Sequence, residues 1–304
     1  MTDFASDIRR PSVSVRDYLR LLRMKDWVKN LAILLPLFFS LRIDDPRSLA
    51  WGLFAVAVFC LVSSAVYIFN DMKDVEMDRL HPQKKSRPLA SGVIANSPAL
   101  ALMALLLLAG LAASALFCPA MLPLLLLYFL LNLAYSLKLK YLPIVDVFVI
   151  ASGYVIRILV GGVVTQTGLS MWIIIMIFLL AMFIGLAKRR DDVVICLETG
   201  VEVRKIVEAY NLKFIDAGLT IMAAVTIVAY IMYTVSPDVV IKFRTDKIYL
   251  TTAFVVVGIL RYLQLIYVEK KGGFPTEILL ADRFLQIVVG GWLVTFGILI
   301  YAAR

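Results

Sequence analysis

The residues best placed to do chemistry form the run Asn70-Asp71-Met72-Lys73-Asp74-Val75-Glu76-Met77-Asp78-Arg79. On a helix turning about 100° per residue, Asn70, Asp71, Asp74 and Asp78 fall within an arc of roughly 100°, and Glu76 points away. Three like charges so close repel one another unless a cation binds among them. Hard oxygen ligands on one face suit Mg²⁺, which keeps several waters and commonly bridges carboxylates to substrate phosphates. The competing reading is a solvated acidic helix end among lysines; the rarity of an Asp stripe at the end of an apolar membrane helix favours the metal.

Cations follow at once in His81-Pro82-Gln83-Lys84-Lys85-Ser86-Arg87-Pro88. Lys85 could hold phosphate oxygens that a metal leaves free, and Arg87 offers a bidentate fork. An ordinary charged loop explains one or two of these residues equally well, and a lone His81 beside a proline is weak as a ligand. A second cluster, Lys188-Arg189-Arg190-Asp191-Asp192, ends a long apolar run. There a favourable helix-dipole interaction competes with phosphate binding by Lys188 and Arg189. Asp146 and Arg157 lie about three turns apart on one helix face. Asp146 is expected at the mouth of a cavity and Arg157 as a brace between helices. Lys29 and Asn30, with Tyr135, Ser136, Lys138 and Lys140, are further candidates for the rim.

The elements that must position these residues are membrane helices. Of 304 residues 62% are hydrophobic and 17% charged, and the mean hydropathy is +0.89, well beyond an average soluble protein. The apolar residues fall in long runs, each near the length of about 20 that spans a bilayer. Spans are expected near 27–41, 49–70, 98–117, 121–136, 143–164, 171–187, 212–235, 247–267 and 282–303. The fold class is therefore all-α: a polytopic membrane protein of nine helices, with residues 1–26 as a polar arm and 27–304 as one domain. With the N-terminus inside, 23 of the 31 Lys and Arg fall in inner segments and 6 in outer ones, which fixes the orientation by the positive-inside rule. A cytoplasm-facing cavity and a plasma-membrane location follow. The net charge of +9 then reads as topology and phosphate binding rather than nucleic-acid binding. Cys60, Cys118 and Cys196 lie too far apart for a disulfide framework or a zinc site. The polar start of the chain is expected to be a retained arm, not a signal peptide. The stretch from Glu198 to Asn211 is expected to be a surface helix.

Nine helices with an inside N-terminus and Asn70-Asp71-x-x-Asp74-x-x-x-Asp78 after the second helix resemble the UbiA superfamily of intramembrane transferases. Trp27-Val28-Lys29-Asn30, Asp78-Arg79-x-His81-Pro82-x-Lys84-x-x-Arg87-Pro88 and the basic Lys188-Arg189 are similar to the decaprenyl-phosphate phosphoribosyltransferase subgroup. That resemblance implies Asp71, Asp74 and Asp78 as catalytic Mg²⁺ ligands and Asn70 as an orienting group. It implies phosphate contacts from Lys29, Lys85, Arg87, Lys188 and Arg189, with Arg79, Tyr135, Lys138 and Asp146 at the site. The implied donor is phosphoribosyl diphosphate and the acceptor a polyprenyl phosphate that keeps its tail in the bilayer; homo-oligomerisation is left open. Asp191-Asp192 could represent a displaced second acidic motif. Two other functions remain in view: prenyl transfer to an aromatic or lipid acceptor, and anion transport, although the charges gather at one face rather than at a midplane site.

Overall fold

The computed structural model describes residues 13–80, 84–199, 210–269, 278 and 281–301. Among them there is no β-strand. The helices are α1 (Val15–Leu21), α2 (Leu35–Phe39), α3 (Pro46–Lys73), α4 (Val75–Leu80), α5 (Asn96–Phe117), α6 (Leu122–Leu137), α7 (Val145–Val164), α8 (Met171–Thr199), α9 (Leu212–Val235), α10 (Pro237–Phe243), α11 (Thr252–Tyr267) and α12 (Arg283–Tyr301). Eight of the described helices, some lengthened by a 3-10 turn, are long and apolar enough to cross a membrane. The chain is a multi-pass, all-α membrane protein.

The expected span at 27–41 is the one that differs. It is a 3-10 coil, Met24–Leu34, of 11 residues, followed by the five-residue α2. Pro36, at the start of α2, keeps one α-helix from running through the segment, because its ring lacks an N–H and clashes with the carbonyl four residues back, that of Ala32. As an α-helix these 16 residues would reach only about 24 Å. A 3-10 coil rises about 2.0 Å per residue, which brings the whole segment to about 30 Å, the thickness of the hydrocarbon core. The expected span at 171–187 also changes, since α8 runs on without a break to Thr199 and carries its charged tail as helix.

The chain forms two compact units, Met1–Leu139 with Ile156–Gly168, and Lys140–Val155 with Leu169–Arg304. In the first, α3 is the central post. It begins at Pro46, where the Asp45 side chain accepts from the Arg47 and Ser48 amides, satisfying two of the open N–H groups of a helix start. Phe59, Val62 and Val66 of α3 pack with Leu125 and Tyr128 of α6 and with Val160 and Val164 of α7. Gly161 of α7 lies directly against the Ile33 carbonyl, so that a methyl group there would collide with backbone; the close approach locks the 3-10 coil to α7. A smaller cluster, Leu21, Ile68, Leu89, Ile94 and Ala99, pins the loop after α4. In the second unit, Val147, Phe183, Leu186, Leu219, Tyr262 and Leu265 form the core among α7, α8, α9 and α11.

Candidate functional site

The acidic run lies where α3 ends. The i to i+4 hydrogen bonds continue through it, from Asp74 N to Asn70 O at 3.0 Å and from Asp78 N to Asp74 O at 2.7 Å. At Asp74, however, ψ is 7°, and the axis bends into α4. The bend separates the stripe. Asp71 and Asp78 are 3% and 4% exposed and converge on one guanidinium: Arg87 Nη1 donates to Asp71 Oδ1 at 3.0 Å and to Asp78 Oδ2 at 2.5 Å. Asp74 instead accepts from Asn70 Nδ2 at 3.1 Å, and Asn70 Oδ1 accepts from Ser136 Oγ of α6 at 3.1 Å. The expected three-carboxylate convergence is therefore replaced by a pair. Among the described residues no group of three or more His, Cys, Asp or Glu side chains stands ready to enclose a metal. Glu76 is exposed, as its phase on the helix requires.

Arg23 completes the cluster, and sequence reasoning passed over it as one of the arm's many cations. It donates from Nε to Asp71 Oδ2 at 3.2 Å and from Nη2 to Asp71 Oδ1, with its guanidinium 5.2 Å from the Tyr67 ring centroid. Partial burial disfavours the Arg23 charge, but attraction and hydrogen bonding to Asp71 outweigh it, holding the group above its ordinary pKa. Its backbone is left-handed, φ 52° and ψ 48°, a conformation costly for a residue with a Cβ and with no signature in a sequence. Two carboxylates thus meet two arginines in a half-buried pocket. Arg87 is held by its loop: Leu89 and Ile94 are buried, Arg79 Nε donates to Ala90 O at 3.0 Å, and an Arg20 Nη donates to Ser86 O at 3.1 Å. Arg79, expected to bind substrate, is exposed and ties that loop through Nε. Lys85 is exposed, while His81, Pro82 and Gln83 lie outside the described residues.

The 3-10 coil sorts its residues by threes. Trp27 Nε1 donates to Ser64 Oγ at 3.0 Å, and Asn30, one turn on, donates to Ser63 Oγ at 3.1 Å. On another face Lys29 pairs with Asp26 at 2.5 Å. Arg157 Nε donates to Asn30 Oδ1 at 2.9 Å and an Nη to Tyr128 OH at 3.2 Å. It also stacks over Phe59 and Tyr128, so it is the brace expected. Tyr135 is half-buried and Lys138 exposed at the end of α6.

In the second unit, Asp146 and Arg189 are 0% and 1% exposed. Arg189 Nε donates to Asp146 Oδ2 and Nη1 to Asp192 Oδ2 at 2.8 Å. Tyr210 OH donates to Asp146 Oδ1 at 2.8 Å and accepts from the Ile144 amide at 2.6 Å. Burial first of all, together with the neighbouring Asp146 carboxylate, pushes the Tyr210 phenol well above its usual pKa, with the Ile144 amide opposing. Arg189 and Asp146 were expected at the substrate; the structure places both in this buried ion-pair knot. Asp192 and Tyr210 were not singled out, and the i, i+3 spacing of Arg189 and Asp192 is the one signal that could have paired the first. Lys188 is half-buried. Residues 200–209 of the expected surface helix lie outside the described residues.

A sheetless bundle of apolar helices with a carboxylate–arginine cluster at the end of one of them defines a class, and comparison agrees. Residues 33–273 match the UbiA prenyltransferase family, and the chain belongs to it. It is 32% identical to the decaprenyl-phosphate phosphoribosyltransferase of Mycolicibacterium smegmatis, over 96% of this chain and 94% of that protein. It is 30% identical to the protein of the same description from Corynebacterium glutamicum, over 96% and 90%. In fold it is similar to a UbiA homologue from Archaeoglobus fulgidus solved with DMAPP and Mg²⁺, with a TM-score of 0.68, 18% identity and coverage of 94% and 99%.

Proposed function

We propose that the protein transfers a 5-phosphoribosyl group from phosphoribosyl diphosphate to a polyprenyl phosphate of the decaprenyl type, releasing diphosphate. The observation that carries this reading is similarity along nearly the whole chain, in both directions, to decaprenyl-phosphate phosphoribosyltransferases. An oxygen of the lipid phosphate attacks ribose C1 as the bond from C1 to the diphosphate oxygen breaks, and the electron pair leaves with the diphosphate. The acceptor is already anionic, so no side chain has to remove a proton. Negative charge grows on the leaving group, and cations already in place for it lower the barrier without reorganisation. Arg23 and Arg87 are such cations.

The donor chemistry fits Mg²⁺: Asp71 and Asp78 are hard oxygen donors that here share the Arg87 guanidinium, and Mg²⁺ takes one or two carboxylates with the rest of its shell from water and phosphate. Asp71 and Asp78, with Asp74 beside them, would hold the ion, which when bound would neutralise charge on the diphosphate. Lys29, Lys85 and Lys188 are proposed as further phosphate contacts. The balance of Lys and Arg supports a cytoplasmic N-terminus, nine crossings counting the 3-10 coil as one, and chemistry at the cytoplasmic face of the plasma membrane. Purified protein given Mg²⁺, labelled phosphoribosyl diphosphate and decaprenyl phosphate should yield labelled phosphoribosyl-lipid. Turnover of a prenyl diphosphate, with none of that product, would replace this reading by prenyl transfer.

A further inference from the structure

The second unit contains two recesses that meet at one side chain. The larger, about 370 Å³, lies among α8, α9, α11 and α12, and Leu180, Phe183, Phe254, Val288 and Trp292 are among its apolar walls. The smaller, about 200 Å³, is lined by Arg190, Asp191 and Glu198 together with Leu212 and Ile278. Tyr262 lines both. Its hydroxyl is buried and has no hydrogen-bond partner among the described residues, although a buried polar group is costly to leave unmatched. Along α8 and along α11 the groove residues precede those of the polar recess, so the two are stacked along the helices. This is an apolar slot inside membrane-spanning helices, ended by a small charged chamber.

We propose that this pair of recesses is a structural lipid site taking a zwitterionic phospholipid with a primary amine head. One acyl chain lies in the groove and the head sits against Asp191 and Glu198. The head is chosen by charge. Two carboxylates outnumber one guanidinium in the recess, and Arg190 already gives Nε to Asp216 at 2.7 Å and Nη1 to the Ile266 carbonyl at 3.2 Å. A purely anionic head is repelled there. An ammonium with three N–H donors suits two carboxylates, whereas a quaternary ammonium has no N–H to give and favours an aromatic cage. The adjoining phosphate meets the donors left on Arg190 and the Tyr262 hydroxyl. The α8 face involved, Arg190, Asp191 and Val194, is not the face that carries Arg189 and Asp192, which gives Asp191 a role separate from the buried ion-pair knot.

The full chain, reconstituted in vesicles of phosphatidylethanolamine and phosphatidylglycerol in equal amounts with a trace of decaprenyl phosphate, then extracted, should retain phosphatidylethanolamine in native mass spectra. The expected preference over phosphatidylglycerol is about tenfold, the scale of one well-placed charge contact. Asp191→Asn with Glu198→Gln should erase that preference. Val289→Trp, at a half-exposed groove position, should lose the bound lipid while eluting as the wild type does. Retention of no lipid, equal retention of phosphatidylglycerol, capture of decaprenyl phosphate instead, or full retention by folded Val289→Trp would each overturn the proposal.

Discussion

Arg189→Met is the sharpest test of what the second basic cluster does. In the folded protein Arg189 is almost fully enclosed and answers two carboxylates, Asp146 and Asp192. Methionine nearly matches its length but leaves Asp146, which has no exposure, with Tyr210 as its remaining named partner. Breaking a buried pair by removing one member costs about 3–5 kcal/mol, since the other charge stays desolvated. At about 2–4 °C per kcal/mol for a chain of this size, the unfolding midpoint should fall by roughly 10 °C. Asp146→Asn added to Arg189→Met removes the stranded charge and should restore at least half of the loss. Thermal unfolding of the purified protein in detergent, followed by tryptophan fluorescence, gives the midpoint, and phosphoribosyl-lipid formation well below it gives the rate. A single variant with wild-type stability but no activity would refute the reasoning and return Arg189 to the phosphate site.

Three further outcomes are expected. Asp71→Asn and Asp78→Asn should each lower Mg²⁺-dependent turnover at least about 100-fold, the scale of losing a key electrostatic group; near-normal rates in either would remove that residue from the site. Gly161→Ala should destabilise by at least about 1–3 kcal/mol, the usual cost of overpacking, because its methyl meets the Ile33 carbonyl; a wild-type midpoint would show that α7 and the 3-10 coil are not in that contact. Tyr210 titrates above its unfolded value of 10.0, so its contribution to stability is complete below that pH and is lost as pH rises from there through the folded pKa, where only the unfolded phenol ionises at first. Tyr210→Phe should flatten the alkaline fall in stability, and an unchanged slope between wild type and variant would dismiss this linkage.

Much of the architecture was legible because bilayer thickness forces long apolar runs, and seven expected spans match helices closely. The exceptions have local causes. Pro36 keeps the first expected span from running as one α-helix, and α8 continues past Lys188 because its charged tail still satisfies helical spacing. The spacing of seven between Asp71 and Asp78 correctly placed them together, since it returns a helix to nearly the same phase. It could not show that Asp74 sits at a bend and turns to Asn70. Arg23 was unreadable: its approach to Asp71 depends on a left-handed backbone and on a contact between residues 48 positions apart. Arg189 was readable as a charge but not as a buried one, because its partner Asp146 lies on another helix. Arg157 could be expected as a brace because an arginine deep in an apolar run has few other uses.

The 3-10 coil has a consequence for how its sequence can vary. At about three residues per turn, Trp27, Asn30 and Ile33 repeat on one stripe, Lys25, Val28 and Leu31 on a second and Asp26, Lys29 and Ala32 on a third. The first stripe deepens into the protein, with Asn30 1% and Ile33 0% exposed, whereas Val28 and Leu31 are 49% and 48% exposed. Rewinding to 3.6 residues per turn would carry Ile33 about 120° away from Trp27. Mutations that raise helix propensity, usually harmless on a membrane helix, act here as a rotation: they would swing Ile33 off its packing. Tolerance across this stretch should follow a period of three.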